Sequence, residues 1–241
     1  MLDKGRENAY NENMPQELFS IKQIAYVRSD FKEKFGIPRQ SGRTPLKSEI
    51  VFLPEYRNDD ALRALDGFSH IWILFDFSES HQSEWSATVR PPRLGGNTRV
   101  GVFASRSPFR PNPIGLSCVR LLGIEKRKTE GNVLIVEGAD LLDGTPVVDI
   151  KPYLPSTDCR PDAVGGYADS VNHHRLEVCF PAELIEKIPQ NKRAGLTDCL
   201  ADDPRPSYQD DPLRVYGMRF GEKEIKFTVN KDILTVIDVL D

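Results

Sequence analysis

The sequence predicts a mainly β protein, with an N-terminal antiparallel β-barrel over residues 18–165 and a smaller α+β domain over residues 166–241. Three observations predict this class. Short apolar, β-rich segments recur along the 241 residues, and turn-forming residues separate them. Strands do not alternate with long helices, so a doubly wound sheet is not indicated. No G-x-G-x-x-G pattern follows a predicted strand, which argues against a Rossmann type of ligand site.

The strands of the predicted barrel are placed by their apolar composition and by the turns between them. Residues 69–77, SHIWILFDF, are almost continuously apolar and are typical of a buried strand. Residues 58–65 have helical spacing, and Asp66-Gly67 is expected to end that helix. Residues 1–17 are polar and predict a flexible tail. The other predicted strands are residues 19–27, 49–53, 99–104, 114–124, 133–139 and 147–150.

The predicted second domain follows a change of composition after Pro161, where a Gly-rich polar stretch indicates a linker. A strand over 175–180 is expected to lead into a helix that Pro181 begins. A second helix over 191–201 and three strands over 213–220, 224–229 and 234–240 complete the domain. Gly221-Glu222-Lys223 is the predicted hairpin turn between the first two of these strands. A module of this size can form an independent domain.

Composition excludes several classes of protein. The chain is 39% hydrophobic and 28% charged, without an apolar run of membrane-spanning length or the apolar core of a secretory signal. The four cysteines form no C-x-x-C pattern, and the pair His173-His174 lacks further ligands at metal spacing. We therefore expect a cytoplasmic protein with reduced thiols, no metal and no membrane contact. The cysteines are Cys118, Cys159, Cys179 and Cys199.

The net charge of −4 is not typical of a strong nucleic-acid binder, but the basic residues are unevenly distributed. Between Trp85 and Glu130, nine basic residues stand against only Glu125 and Glu130. This basic segment predicts either a surface that meets phosphates or a solvated surface balanced by acidic neighbours in the fold. Its members are Arg90, Arg93, Arg99, Arg106, Arg110, Arg120, Lys126, Arg127 and Lys128.

The Pro-rich loop, residues 106–116 with the sequence RSPFRPNPIGL, is the most informative part of the chain. Its three prolines fix φ and push each preceding residue toward extended geometry, so the loop is stiff. Two arginines, which bind carboxylate or phosphate in a bidentate manner, are carried on this stiff loop together with Phe109 and Asn112. This combination favours a ligand site over a structural turn.

Four further motifs occur in a fixed order around the Pro-rich loop. Together the five segments resemble the signature motifs of the TsaA-like (YaeB-like) family, and the resemblance covers roughly residues 18–241. The last motif is similar to one of the tRNA-modifying branch of that family. The four segments are residues 35–42 (FGIPRQSG), 65–72 (LDGFSHIW), 140–153 (DLLDGTPVVDIKPY) and 203–208 (DPRPSY).

The resemblance implies a β-barrel that binds S-adenosylmethionine near a homodimer interface and methylates tRNA. The implied target is the N6 nitrogen of threonylcarbamoyladenosine next to the anticodon. Motif position also implies the contacts with the cofactor, of which Ser80 and His81 match the family less tightly. The implied cofactor residues are Pro38, Arg39, Gln40, Ser80, His81, Arg106, Leu116, Asp140, Leu141, Leu142 and Asp143.

The chemistry of these side chains agrees with such a ligand and leaves alternatives open. Arg39 or Arg106 suits the carboxylate of S-adenosylmethionine, and Asp140 or Asp143 suits its ammonium or ribose hydroxyls. Each assignment has a structural alternative. Asp143, which precedes Gly144, could be a turn residue, and His81 could be a polar surface residue. Arg39 could form an ion pair with a structural carboxylate.

We interpret Asp203, Arg205 and Tyr208 as the residues that hold the modified nucleotide. Arg205 would bind its carboxylate and Tyr208 would stack on a base. The structural alternative is that this segment only terminates a helix. The competing hypothesis for the whole chain is a dimeric barrel that binds an adenosyl ligand or RNA without chemistry. No motif of a serine hydrolase or a zinc protease occurs.

Overall fold

The computed structural model describes residues 19–91, 94, 96–169, 175–205, 209 and 211–241. Twelve strands and three short helices lie within these residues. The strands are β1 (Ala25–Arg28), β2 (Lys47–Phe52), β3 (His70–Asp76), β4 (Thr88–Val89), β5 (Val100–Gly101), β6 (Ile114–Arg127), β7 (Gly131–Glu137), β8 (Pro146–Pro152), β9 (Glu177–Cys179), β10 (Tyr216–Phe220), β11 (Lys223–Asn230) and β12 (Ile233–Leu240). The helices are α1 (Pro155–Asp158), α2 (Ala182–Ile185) and α3 (Gln190–Ala201).

The first sheet has six antiparallel strands in the order β1-β2-β7-β6-β3-β8. Strand β8 pairs with β1 as well as with β3, which closes the sheet on itself, as the predicted barrel requires. Side chains alternate along β3, so Ile71, Ile73 and Phe75 lie inside, while Trp72 and Leu74 point outward. This closed sheet carries one hydrophobic core.

The second sheet has four strands in the order β10-β11-β12-β9, and β9 runs parallel to β12. Phe220 pairs with Lys223, so the predicted hairpin turn contains two residues, and Gly221 adopts a φ of 57° in it. Helix α3 packs on this sheet through Leu196 and Leu200, which are fully buried. The mainly β class with a smaller α+β region is thus confirmed.

The core of the second sheet includes side chains from the first part of the chain. Phe31 and Leu46, which flank the loop between β1 and β2, are buried among residues of α3 and of β10 to β12. Phe31 forms an isolated bridge with Phe220, and their rings make an edge contact with centroids 6.1 Å apart. A Cβ added to Gly195 would lie 2.4 Å from Leu46, so the helix and this loop touch directly. The β1–β2 loop, although it connects two strands of the closed sheet, therefore packs in the core of the second sheet.

Several predicted elements are shorter than the sequence patterns indicated. The helix predicted over 58–65 is wrong: Ala64 has a φ of 67°, and two 3-10 turns, Asp59–Leu62 and Leu65–Gly67, lie on either side of it. Residues 19–24 and 213–215 are not strand, although Ile24 donates its N–H to the Val147 carbonyl at 2.8 Å and accepts from the Leu53 N–H at 2.9 Å, next to the start of β1. Within 99–104 only β5 is strand, since the next three residues form a 3-10 turn. The helix after Pro181 contains four residues.

Some predictions fall on residues outside the described ranges, namely the 1–17 tail, the His173-His174 pair, Arg93 and Tyr208. Among the described residues, no group of three or more His, Cys, Asp or Glu side chains is placed to hold a metal ion. No helix in the described part of the chain has the length and apolar character needed to cross a membrane.

Candidate active site

One large cavity, of about 800 Å³, opens at the end of the closed sheet where β3 ends and β6 begins. This volume is in the range that a nucleoside-sized ligand requires. Four segments form its walls: the β1–β2 loop, the residues after β3, the Pro-rich loop and the β7–β8 loop. Nine of the eleven predicted cofactor residues line it: Pro38, Arg39, Gln40, Ser80, Arg106, Leu116, Asp140, Leu141 and Leu142.

The Pro-rich loop forms one wall and is held by its own polar groups. The backbone N–H of Arg110 donates to the Pro108 carbonyl at 2.9 Å, and the Arg110 guanidinium donates to the Ser105 carbonyl at 3.0 Å. Phe77, which follows β3, donates its N–H to the Pro113 carbonyl at 2.8 Å. These contacts supply the donors that proline cannot, so the loop is fixed against β3 before any ligand binds.

The β1–β2 loop forms the opposite wall and is joined to its neighbours by cations. Lys34 donates to the Glu79 carbonyl at 2.7 Å, which draws together the loop and the 3-10 turn after β3. Arg106 donates to Gln40 Oε1 at 2.9 Å, which joins the Pro-rich loop to the β1–β2 loop. The cavity mouth is therefore bridged by side chains from three segments.

Asp140 is one of three acidic residues that line the cavity, together with Asp76 and Glu79. Ser117, buried on β6, donates to Asp140 Oδ1 at 2.6 Å. Burial nevertheless raises the pKa of Asp140, although the hydrogen bond from Ser117 and the charge of Arg106 both favour the ionised form. A carboxylate that the fold destabilises is suited to a cationic or hydrogen-bond-donating ligand, which would supply the missing stabilisation.

Two predicted cofactor residues, Asp143 and His81, are not among the described residues that line the cavity. Asp143 accepts from the Ser29 N–H at 2.9 Å and from Lys32 Nζ at 2.8 Å, which fits the alternative of a turn residue that holds the β1–β2 loop. His81 lies beside a smaller neighbouring cavity and bonds Asp76 Oδ1 at 2.7 Å. Asp76 lines the main cavity, so His81 is bonded to a residue of its wall.

The C-terminal turn, residues 202–205, follows α3 and lies against the cavity wall. Asp203 adopts a φ of 50°, which is unfavourable for a residue with a Cβ. Its carboxylate binds the Arg205 guanidinium through Nε and Nη2, both at 2.9 Å. Arg205 is only 8% exposed and the Asp203 side chain is 26% exposed, so this bidentate ion pair is partly buried.

Arg39 connects this turn to the cavity. Its Nη2 donates to the Arg205 carbonyl at 3.1 Å and to the Asp203 carbonyl at 3.3 Å. Arg39 therefore bonds two backbone carbonyls rather than the structural carboxylate that the alternative interpretation required. Two motifs that are far apart in the chain meet at one residue.

The basic segment divides into two parts in the fold. Arg127 pairs with Glu49, Glu125 and Glu130, and Lys126 pairs with Asp59, so the far end of β6 is balanced by acidic neighbours. Arg106 and Arg110 line the cavity instead, where their hydrogen bonds in the described structure go to an amide and a carbonyl. The cavity lining therefore carries both signs of charge, since Asp76, Glu79 and Asp140 line it together with these arginines.

Sequence reasoning missed several residues of the cavity. Ser117 and Gly115 follow the inward alternation of β6, a signal that was available from the strand pattern. Phe75 and Phe77 pack edge to face at 4.9 Å and line the cavity floor, but an apolar run alone predicts only a buried strand. Lys34 gave no signal, because its role depends on the fold bringing Glu79 beside it.

The arrangement can bind a zwitterion that carries a flat apolar group. Arg106 offers a cationic fork and Asp140 a carboxylate, while Pro38 and Leu116 offer apolar surface on the same cavity. An amino-acid moiety fits the charges, and a purine fits the apolar walls. The residues present therefore fit S-adenosylmethionine.

Comparison with known proteins identifies the class. The model of the tRNA-methyltransferase O N-terminal domain matches residues 26–159, and the model of the C-terminal domain of the same family matches residues 173–241. The chain thus belongs to a class of S-adenosylmethionine-dependent methyltransferases. The chain belongs to the tRNA-methyltransferase O family.

Three similar proteins show how far the likeness extends. A tRNA (adenine(37)-N6)-methyltransferase of Escherichia coli strain K12 is 46% identical over 198 residues, which cover 79% of this chain and 84% of that protein. A Pseudomonas aeruginosa protein described as an S-adenosylmethionine-dependent methyltransferase is 40% identical over 91% of this chain and 97% of its own length. A crystal structure of TrmO from P. aeruginosa has a TM-score of 0.76 and 35% identity, and covers 93% of this chain and 98% of that one.

Proposed function

We propose that this protein transfers a methyl group from S-adenosylmethionine to the N6 nitrogen of threonylcarbamoyladenosine next to the anticodon of tRNA. The observation that carries the proposal is the contact of Arg39 with both Asp203 and Arg205. Because of it, residues 203–205, the described part of the motif that resembles the tRNA-modifying branch, contact the wall of the cavity that fits the cofactor. The proposed substrate also places the reaction in the cytoplasm.

The cavity residues suggest how the cofactor is held. Arg106 is the better partner for its carboxylate, because Nη2 of Arg39 is already engaged with the C-terminal turn. Asp140 would accept from the ammonium or a ribose hydroxyl, and Leu116 with the backbone of Leu141 and Leu142 would frame the adenine. Asp143 would act indirectly, through its hydrogen bond to the β1–β2 loop. His81 would also act indirectly, through its hydrogen bond with Asp76.

The chemistry asked of the protein is mainly alignment. The methyl C–N bond would form as the C–S bond of S-adenosylmethionine breaks, S-adenosylhomocysteine would leave, and the N6 proton would pass to water, so the chain must place the target nitrogen in line with the activated methyl group. The nitrogen is part of a urea and is weakly nucleophilic, so a rigid wall such as the Pro-rich loop helps by fixing the approach. We propose Asp203, Arg205 and Tyr208 as the residues that hold the modified nucleotide, with Arg205 exchanging Asp203 for the substrate's carboxylate.

A homodimer is part of this proposal. Apolar side chains beside the cavity are exposed to solvent in a single copy, among them Phe103 at 73% and Leu116 at 51%. A second copy that covers them would also exclude water from the cavity. Sedimentation of the protein would test this, and a monomer at micromolar concentration would contradict it.

The test of the function is a paired binding and transfer experiment. Titration with S-adenosylmethionine is expected to saturate, and Arg106→Ala is expected to weaken binding by about tenfold, the scale of one charge-assisted hydrogen bond. Transfer of labelled methyl groups is expected to tRNA that carries threonylcarbamoyladenosine. The matched control is Arg175→Ala, which removes an ion pair with Asp198 on α3. Transfer to tRNA that lacks the modification would contradict the proposed substrate.

A further inference from the structure

Arg39 lies between two sites that the proposed function requires to act together. It belongs to the wall of the cofactor cavity, yet the contacts of its Nη2 are with the C-terminal turn. On the same loop, Gln40 accepts from Arg106. A short stretch of chain is therefore bonded to the Pro-rich loop on one side and to the nucleotide motif on the other.

The C-terminal turn has a conformation that needs support. Asp203 has a left-handed φ, and the carbonyls on either side of Pro204 both point at one guanidinium. A left-handed backbone at a residue with a Cβ persists only where its surroundings hold it. Arg39 provides this support, because its Nη2, which carries two N–H groups, donates to both carbonyls.

A second contact holds the same turn by a different means. Arg43 pairs with the carboxylate of Asp202 at 3.0 Å, with side chains 25% and 10% exposed. This pair fixes the end of α3, whereas Arg39 fixes the backbone on both sides of Pro204. Removal of Arg39 is therefore expected to free the segment that carries Arg205 while α3 stays in place.

We propose that Arg39 is a positioning residue that sets the Asp203–Arg205 pair against the cavity, and that its contribution is to the use of tRNA rather than to the binding of S-adenosylmethionine. The inference rests on the proposed function, because it assigns the C-terminal turn to the nucleotide. Without Arg39 the turn samples other conformations, and the guanidinium of Arg205 spends less time where the substrate meets it.

The experiment compares Arg39→Ala, Arg39→Lys and the control Arg175→Ala. For Arg39→Ala we expect kcat/KM for tRNA to fall by about tenfold or more, the scale of one lost charge-assisted contact, while the Kd for S-adenosylmethionine stays within about threefold. Arg39→Lys should recover part of the activity, since an ammonium can still donate to a carbonyl. The Arg205 amide, which donates to Asp203 Oδ1 at 3.2 Å, should exchange its hydrogen faster in Arg39→Ala.

Two outcomes would overturn the inference. A loss of S-adenosylmethionine affinity that matches the loss of activity would make Arg39 a cofactor ligand. Equal loss in the Ala and Lys variants, with unchanged exchange of the Arg205 amide, would remove the turn from the explanation. Absence of methyl transfer by the unmodified protein would instead overturn the proposed function, and the exchange measurement would still decide whether Arg39 holds the turn.

Discussion

Asp140 is the residue at which the structure makes the sharpest prediction about ionisation. Its raised pKa means that the fold destabilises the carboxylate, so folding is favoured when the group is protonated. The stability that protonated Asp140 contributes is therefore fully present below the ordinary pKa of 3.8, and it is lost as the pH rises through the raised pKa of the folded protein. A bound cation would offset this loss.

Replacement of Asp140 by Asn tests this account. We expect Asp140→Asn to leave the Tm at pH 7 unchanged or higher, because the amide keeps the bond from Ser117 without a buried charge. The affinity for S-adenosylmethionine should fall by about tenfold, which calorimetry measures. Asp149→Asn, which removes an exposed pair with Lys151, is the matched control. A lower Tm with unchanged affinity would mean that Asp140 is structural.

The sequence predicted the residue types of the cavity better than their roles. Arg39, Arg106 and Asp140 were expected at the cofactor, and all three line one cavity. The motif order could not reveal that Arg39 bonds two carbonyls of a turn more than 160 residues away in the chain. That contact depends on how the C-terminal sheet packs, which no local pattern encodes.

At the scale of elements, the start of β6 decides the shape of the cavity floor. Gly115 faces inward on β6, and a Cβ there would lie 2.1 Å from the ring of Phe75. The ring therefore occupies space that any larger residue would take. Because Phe75 packs edge to face on Phe77, a shift of one ring displaces the other.

Gly115→Ala is expected to destabilise the protein by roughly 1–3 kcal/mol, the usual cost of overpacking, and to weaken binding of S-adenosylmethionine. Chemical denaturation and calorimetry measure the two effects. Gly123→Ala, on the same strand, is the control, because a Cβ there meets no atom within 4 Å. Equal stability of the two variants would show that Phe75 can move at no cost.

Elements with strong apolar patterns were predicted well, and those fixed by tertiary contact were not. The core strand over 69–77 became β3, and the helix over 191–201 became α3. The helix predicted over 58–65 failed because Ala64 takes a left-handed conformation, which composition does not signal. Strand β4 was missed, since two residues paired with β5 leave no periodic pattern.

At the scale of the whole molecule, the two sheets are joined by the β1–β2 loop, which connects two strands of the closed sheet and packs in the core of the second sheet. Phe31 and Leu46 pack among residues of α3 and of the second sheet. The same segment is bonded to the closed sheet, since the Asp143 N–H donates to the Phe31 carbonyl at 2.8 Å. Phe35 and Ile37 of the same loop, both partly buried, pack against this core as well. We expect the protein to unfold as one unit.

Phe31→Ala should reveal this coupling, at a cost of about 3–5 kcal/mol for a buried ring. Fluorescence of Trp72 and Trp85, both in the first part of the chain, should lose its signal at the same denaturant concentration as the circular dichroism of the whole molecule. Phe19→Ala, at a side chain that is 84% exposed, should leave both midpoints unchanged. A circular dichroism transition that separates from the fluorescence transition would show that the two sheets unfold independently.

The packing of Phe31 and Leu46 in the core of the second sheet has a consequence for synthesis on the ribosome. The closed sheet can form once β8 has emerged, because β8 supplies the closing pair with β1. Phe31 and Leu46 emerge early, but α3 and β10, against which they pack, are translated much later. Until then two large apolar side chains face water on a nascent chain that lacks the rest of their core, which makes a holding chaperone useful at that stage.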